Sequence, residues 1–197
     1  MGNFKFKGSW VILGLVAILV LWGIGSYNGL VNGQEAVETQ WGQVENVYQR
    51  RADLIPNLVA TVKGYATHEQ GALTAVVEAR AKATAITIDP SNVTPEQLKA
   101  FSNAQGELSQ ALGRLLAVKE AYPDLKANQG FLDLQTQLEG TENRISTERH
   151  RFNEVARGYN TSVRNFPGNI IANLFGFEKK PYFEAEEGAN KAPKVEF

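Results

Sequence analysis

The 197-residue chain contains no cysteine, one methionine and two histidines, His68 and His150. The lack of cysteine excludes disulfide scaffolds, thiolate zinc sites, iron–sulfur clusters and cysteine nucleophiles together. Neither sign of charge is in excess: 20 Lys and Arg against 21 Asp and Glu give a net charge of −1. A basic nucleic-acid binder is therefore disfavoured. The chain also lacks the usual phosphate-cradling and nucleophile motifs, with no G-x-x-x-x-G-K-[ST] loop, G-x-G-x-x-G turn or G-x-S-x-G elbow. His68-Glu69 begins like a zinc-protease helix, but position 72, where the second ligand belongs, is Ala. A di-iron bundle needs Glu-x-x-His on two helices, and the residues three before His68 and His150 are Tyr65 and Thr147. No cofactor and no small-molecule substrate is read from the sequence.

What the chain does have is one long hydrophobic run. Lys7 and Glu35 bracket 27 uncharged residues, and Trp10 to Ile24 is apolar throughout. About 20 such residues at 1.5 Å rise span a bilayer core. Trp10, Trp22 and Tyr27 stand where interfacial aromatics belong. A cleaved signal peptide is the competing reading, since Gly23-Ile24-Gly25 is a small-x-small site. Lys5 and Lys7 precede the run, whereas no basic residue follows it before Arg50. The positive-inside rule then expects a single-pass protein of the bacterial inner membrane, N-terminus in the cytoplasm and the main domain outside it. Gly25, Gly29 and Gly33 are spaced by four. They read either as a helix-association stripe in a homo-oligomer or as a flexible joint.

Beyond residue 34 the pattern is helical. Leu30, Val37 and Val44 recur every seven residues, as do Trp41, Tyr48 and Ile55. Pro56 is expected to break or kink this helix, with Asp53 capping its restart and a second helix running to about Ala85. Residues 87–94 read as a loop. Thr94-Pro95-Glu96-Gln97 reads as a capped helix start, and Phe101, Leu108, Leu115 and Tyr122 mark the third helix. Phe131, Leu138, Ile145, Phe152, Tyr159 and Phe166 give a fourth, from about 128 to 165, roughly 55 Å long. A short apolar helix or tail follows at 169–177. The expected architecture is all-α: an N-terminal transmembrane helix and an elongated antiparallel helical bundle. By segment, 1–7 is a short tail, 8–33 anchor and joint, 34–177 the bundle, and 178–197 a C-terminal tail without periodicity.

Several charged residues lean inward: Arg50, Arg51, Asp53, Glu69, Glu78, Arg80, Glu142, Arg144 and Glu148. Buried charges must be paired, so these form a candidate inter-helix polar network that fixes register. The functional alternative is a groove for a partner or an ion. Arg149-His150-Arg151 reads as a solvated basic face.

The motifs then become specific. Tyr27-Asn28-Gly29-Leu30-Val31 follows the anchor, and Arg50-Arg51-Ala52-Asp53-Leu54-Ile55-Pro56-Asn57-Leu58-Val59 comes next. Glu120-Ala121-Tyr122-Pro123-Asp124-Leu125 and Leu138-Glu139-Gly140-Thr141-Glu142-Asn143-Arg144 stand further on, with Tyr159-Asn160, Phe166-Pro167 and Gly176-Phe177 near the end. The series resembles the LemA family of bacterial membrane proteins from Tyr27 to Phe183. The resemblance implies one N-terminal membrane anchor, a helical-bundle domain and no established enzymatic activity. It also implies a likeness to a protein of the magnetosome membrane, and so a role in membrane organisation. Three functions remain open at this stage. One is a self-associating scaffold on membrane lipid. Another is an adaptor presenting a groove to an envelope protease or signalling partner. The third is a hydrolase or metal enzyme built on His68 or His150.

Overall fold

The computed structural model describes residues 8–184; the expected tail at 1–7 lies outside them. Six α-helices follow in order: α1 (Gly8–Tyr65), α2 (Gln70–Ala85), α3 (Pro95–Ala117), the single-turn α4 (Pro123–Lys126), α5 (Gln129–Arg164) and α6 (Gly168–Phe175). A 3-10 turn, Val118–Ala121, leads into α4. There is no strand among the described residues.

Helix α1 is 58 residues long, roughly 87 Å at the usual rise. It passes without interruption from the apolar run into the bundle, so the expected joint at 25–33 is helix. It also continues through Pro56, where a break or kink is expected, without a break. The reason is a distant partner. Pro56 has no N–H to give the Ala52 carbonyl four residues back, and Arg80 of α2 donates to it instead, Nε to O 2.8 Å. Pro56 itself faces solvent, so its ring meets no core side chain. Asp53 consequently caps nothing; it accepts from Gln49 one turn earlier, at 2.7 Å. The first helix ends at Tyr65, and the second begins at Gln70, not at Pro56.

Helices α1 and α5 lie side by side and antiparallel. Tyr65 meets Asn128, Arg51 meets Glu142, Gln40 meets Glu148, and Gly33 meets Tyr159. Helices α2 and α3 form a hairpin across the loop at 86–94, completing an up-down-up-down bundle. Its start is the expected capping box: the Thr94 hydroxyl accepts from the Gln97 N–H, and Gln97 Oε1 accepts from the Thr94 N–H. Asn128 caps α5 in the same way, accepting from Phe131 N–H at 2.9 Å.

The seven-residue row of α5 is buried at Phe131, Leu138, Ile145, Phe152 and Tyr159. Its last expected member, Phe166, lies beyond the helix end and is 80% exposed. The core forms two clusters. One holds Leu30, Val37, Trp41, Tyr48, Phe101 and Phe152; the other holds Ile55, Leu58, Val62, Leu108, Leu115 and Phe131. Between them, on α1, sits Arg51. By contrast Trp10, Ile12, Leu13, Leu19 and Leu21 on the first part of α1 are all exposed. This is the one helix among the described residues long and apolar enough to cross a membrane.

After α6 the chain reverses at Gly176, whose φ of 74° suits glycine, and runs back along the bundle. Residues 178–184, the start of the expected tail, are docked rather than free. Lys180 and Phe183 are buried.

Candidate functional site

Arg51 is 1% exposed and bonds to two helices besides its own, with a third reached through Gln105. Its Nη1 donates to Ser109 Oγ of α3 at 2.7 Å and to Glu142 Oε1 of α5 at 2.6 Å. Its Nη2 donates to the carbonyl and side-chain oxygens of Gln105 on α3. Gln105 in turn donates from Nε2 to Ala83 O of α2 at 3.3 Å. The Tyr48 ring covers the guanidinium, 5.2 Å from its centroid. A planar, permanently charged fork is suited to so many fixed acceptors, and the half-exposed Glu142 partner lowers the cost of burying it. Ser109, Gln105 and Glu142 thus make one polar layer across all four long helices. A cleft of about 330 Å³ opens onto this layer, lined also by Ser102, Ser146 and Arg149.

The other candidate residues do not join it. Arg50 and Arg144 are exposed and line a separate cleft on the α1–α5 face, together with Glu148 and Arg151. Glu148 accepts from Gln40 at 2.8 Å and from Arg151 at 2.9 Å. Glu69 precedes α2 and accepts from the Tyr122 hydroxyl at 3.1 Å, which ties the two turns at the far end of the bundle. Burial, together with this carboxylate, pushes the Tyr122 phenol up. Arg80 serves the Ala52 carbonyl. Glu78 faces solvent. The nine charged residues therefore divide into separate arrangements, with Arg51 and Glu142 the pair at the centre.

The glycine stripe divides too. A Cβ on Gly33 would lie 3.1 Å from Tyr159 Cδ2, so Gly33 permits the close approach of α5 to α1. A Cβ on Gly25 or Gly29 would meet nothing within 4 Å beyond its own helix turn. His68 sits in the turn between α1 and α2, and His150 is exposed, its Nε2 3.5 Å from Glu154. Among the described residues, no group of three or more His, Cys, Asp or Glu is placed to hold a metal.

Sequence reasoning misses a second buried arrangement entirely. Asn160 of α5 donates to Lys180 O and accepts from Lys180 N–H, both at 2.8 Å. Asn153, seven residues earlier, does the same to Phe183, again at 2.8 Å. Two amide side chains on one helix face thus satisfy the backbone of the docked segment. Phe183 stacks on Trp41 with centroids 5.9 Å apart and meets Phe152 edge-on at 5.4 Å. Arg149 lies over the same ring, 5.0 Å from its centroid, and donates to Glu184 O. The Lys180 ammonium is carried to the loop carbonyls of Pro90 and Ser91. Burial holds the Lys180 amine below the usual lysine range, against the pull of Glu38, Asp89 and Glu178. The available signal is the pair Asn153 and Asn160, polar residues seven apart beside an apolar row.

Known proteins resemble this chain over most of its length. It is 30% identical to Magnetosome protein MamQ 2 of Paramagnetospirillum magneticum, over 86% of this chain and 68% of that protein. It is 29% identical to Magnetosome protein MamQ of Magnetospirillum gryphiswaldense, over 93% and 73% respectively. Protein LemA of Metamycoplasma hominis is 24% identical, over 83% of this chain and 71% of that one. The LemA family model matches residues 40–197, which include the Arg51 layer, the α1–α5 contact from Gln40 onward and the docked segment 178–184, and the chain belongs to the LemA family.

Proposed function

We propose that this protein is a membrane-anchored, non-enzymatic helical scaffold that self-associates and organises or remodels membrane. The observation that carries this reading is the continuity of α1 from its exposed apolar run to Tyr65 in the bundle. A helix without a hinge holds the bundle at a fixed attitude to the bilayer. Copies arranged around such struts would impose a shape on the lipid between them. The magnetosome proteins among its relatives support work at a membrane. The proposed placement is the bacterial inner membrane, N-terminus in the cytoplasm and bundle outside, from the lysines before the span. The open surface at Gly25 and Gly29 is the proposed contact between copies. The test is the mass of the full-length protein in mild detergent, by light scattering with images of the same peak. A large, defined particle is expected, and Gly25→Leu with Gly29→Leu should shrink it. A monomer in several detergents and in native membrane extracts would overturn the scaffold. The adaptor reading rests on the cleft beside Arg51, and it requires an envelope protein to co-purify in stoichiometric amount.

A further inference from the structure

Helix α6 has two different faces. Ile171 and Ala172 are buried against the bundle. Ile170 and Leu174, one turn apart, are 53% and 72% exposed; Phe175 is 57% exposed, and Phe166 just before the helix is 80% exposed. A soluble surface rarely leaves four such side chains together in water.

The level at which α6 sits is decisive. Ile171 Cδ1 lies 4.0 Å from where a Gly23 Cβ would stand. The Tyr27 ring meets Phe175 at 4.9 Å and Phe177 at 5.5 Å, both edge-on. Gly23 and Tyr27 bracket the end of the apolar run of α1, where Leu21 and Ile24 are themselves exposed. The outer face of α6 thus continues the exposed apolar surface of α1 sideways. Arg164 before it and Lys179 after it are exposed cations, placed to meet phosphate headgroups while the residues between them meet acyl chains. Tyr27 and Trp22 stand at the same level, as interfacial aromatics do.

We infer that α6 is a lipid-seated helix. Its Ile170–Leu174 face, with Phe166 and Phe175, lies in the headgroup–acyl boundary of the bilayer that α1 enters. This rests on the reading of α1 as a membrane anchor. The protein then holds its membrane at two places, a span and a wedge beside it, and the wedge occupies area in one leaflet only. A helix so placed buries its apolar side about 5–10 Å into that boundary.

The natural chain has no cysteine, so a single introduced thiol can be labelled cleanly. Leu174→Cys, Ile170→Cys, Leu21→Cys and Thr136→Cys in the full-length protein are each labelled with an environment-sensitive fluorophore. The proteins are placed in phosphatidylcholine–phosphatidylglycerol vesicles, with brominated lipid or with aqueous iodide as quencher. Probes at 174 and 170 should be quenched by brominated lipid to an extent comparable with 21 and shielded from iodide, with 136 the reverse. Quenching at 174 and 170 by iodide alone, with 21 still quenched by lipid, would overturn the inference and leave the anchor standing. Protection from both quenchers would mean that a second copy covers α6, and would also overturn it. A probe at 21 untouched by brominated lipid would remove the anchor reading, and this inference with it.

Discussion

Arg80 Nε donates to the carbonyl of Ala52 at 2.8 Å, and this is the carbonyl that Pro56 leaves without its helical partner. One residue on α2 thereby repairs a gap in α1 and fixes the register of the two helices. Arg80→Ala should destabilise the protein by about 1–3 kcal/mol, the usual cost of orphaning a semi-buried acceptor. In a Pro56→Ala background the new N–H can take over that carbonyl, and the cost of Arg80→Ala should shrink. Urea melts of the four proteins in the cycle measure the coupling. Additive effects would show that Arg80 matters for some other contact.

Arg51 raises a different question, because its partners are fixed and its charge is buried. Replacing it by Met removes a cation but leaves Gln105 and Ser109 without their donor. The loss should be about 1–3 kcal/mol, the cost of leaving the buried Gln105 acceptor without its donor, since Glu142 keeps its solvent. Glu142→Gln should cost much less, since Glu142 is 42% exposed and its amide oxygen can still accept from Arg51. Arg51→Lys should sit near the Met variant, because one ammonium cannot stand in for both terminal nitrogens of the fork, Nη1 on Ser109 and Glu142 and Nη2 on Gln105. Chemical denaturation of the three variants orders them; a Lys variant as stable as the natural protein would show that charge, not the fork, is what the layer needs.

These two relationships show what a sequence pattern can and cannot carry. The row Phe131, Leu138, Ile145, Phe152 and Tyr159 is legible because a helix repeats its buried face at a near-constant interval. The Thr94–Gln97 box is legible because both partners are three residues apart. The passage of α1 through Pro56 is not, because its remedy lies on another helix. Phe166 fits the repeat by number, but the helix stops at Arg164. The clamp on Lys180 and Phe183 is hidden for a further reason. An extended segment has no period when its backbone, not a row of side chains, is what the bundle binds. Of the candidate charged residues, Glu69 and Glu148 fall in register with apolar rows, yet Arg51 and Glu142 are the pair that meets at the centre; which of the nine would meet depended on the tilt and rotation of the helices.

The docked segment makes its own prediction. Phe183 is 6% exposed and packs on Trp41 and Phe152. Phe183→Ala should cost about 3–5 kcal/mol, the range for a large aromatic lost from a core. Asn160→Ala leaves the Lys180 N–H and C=O unpaired in a buried place and should cost about 2 kcal/mol or more. Hydrogen exchange at the Lys180 and Phe183 amides provides the direct check. Both should be protected in the natural protein, and Asn160→Ala should release the Lys180 amide. Rapid exchange at both amides in the natural protein would mean that residues 178–184 do not hold this position in solution.

Lys180 gives the bundle a pH dependence whose sign follows from burial. Desolvation is the largest influence on its amine and holds the folded pKa below the usual lysine value, while Glu38, Asp89 and Glu178 oppose it. Where the amine is charged in both the folded and the unfolded chain, the folded state carries the cost of burying that charge. As pH rises through the lowered folded pKa, the folded protein releases its proton first. Between that value and the usual lysine range the unfolded chain binds more protons, so stability rises with pH there. Tyr159, whose phenol is pushed up by burial, acts in the opposite direction once the unfolded tyrosine ionises. The two are separated by comparing the natural protein with Lys180→Met, which keeps Tyr159 and removes the amine. The difference in unfolding free energy between the two should shift in favour of the natural protein as pH is raised from neutral into the alkaline range. A difference that stays flat across that range would show that the Lys180 amine titrates like a solvated lysine, and that its contacts to the Pro90 and Ser91 carbonyls do not exclude water.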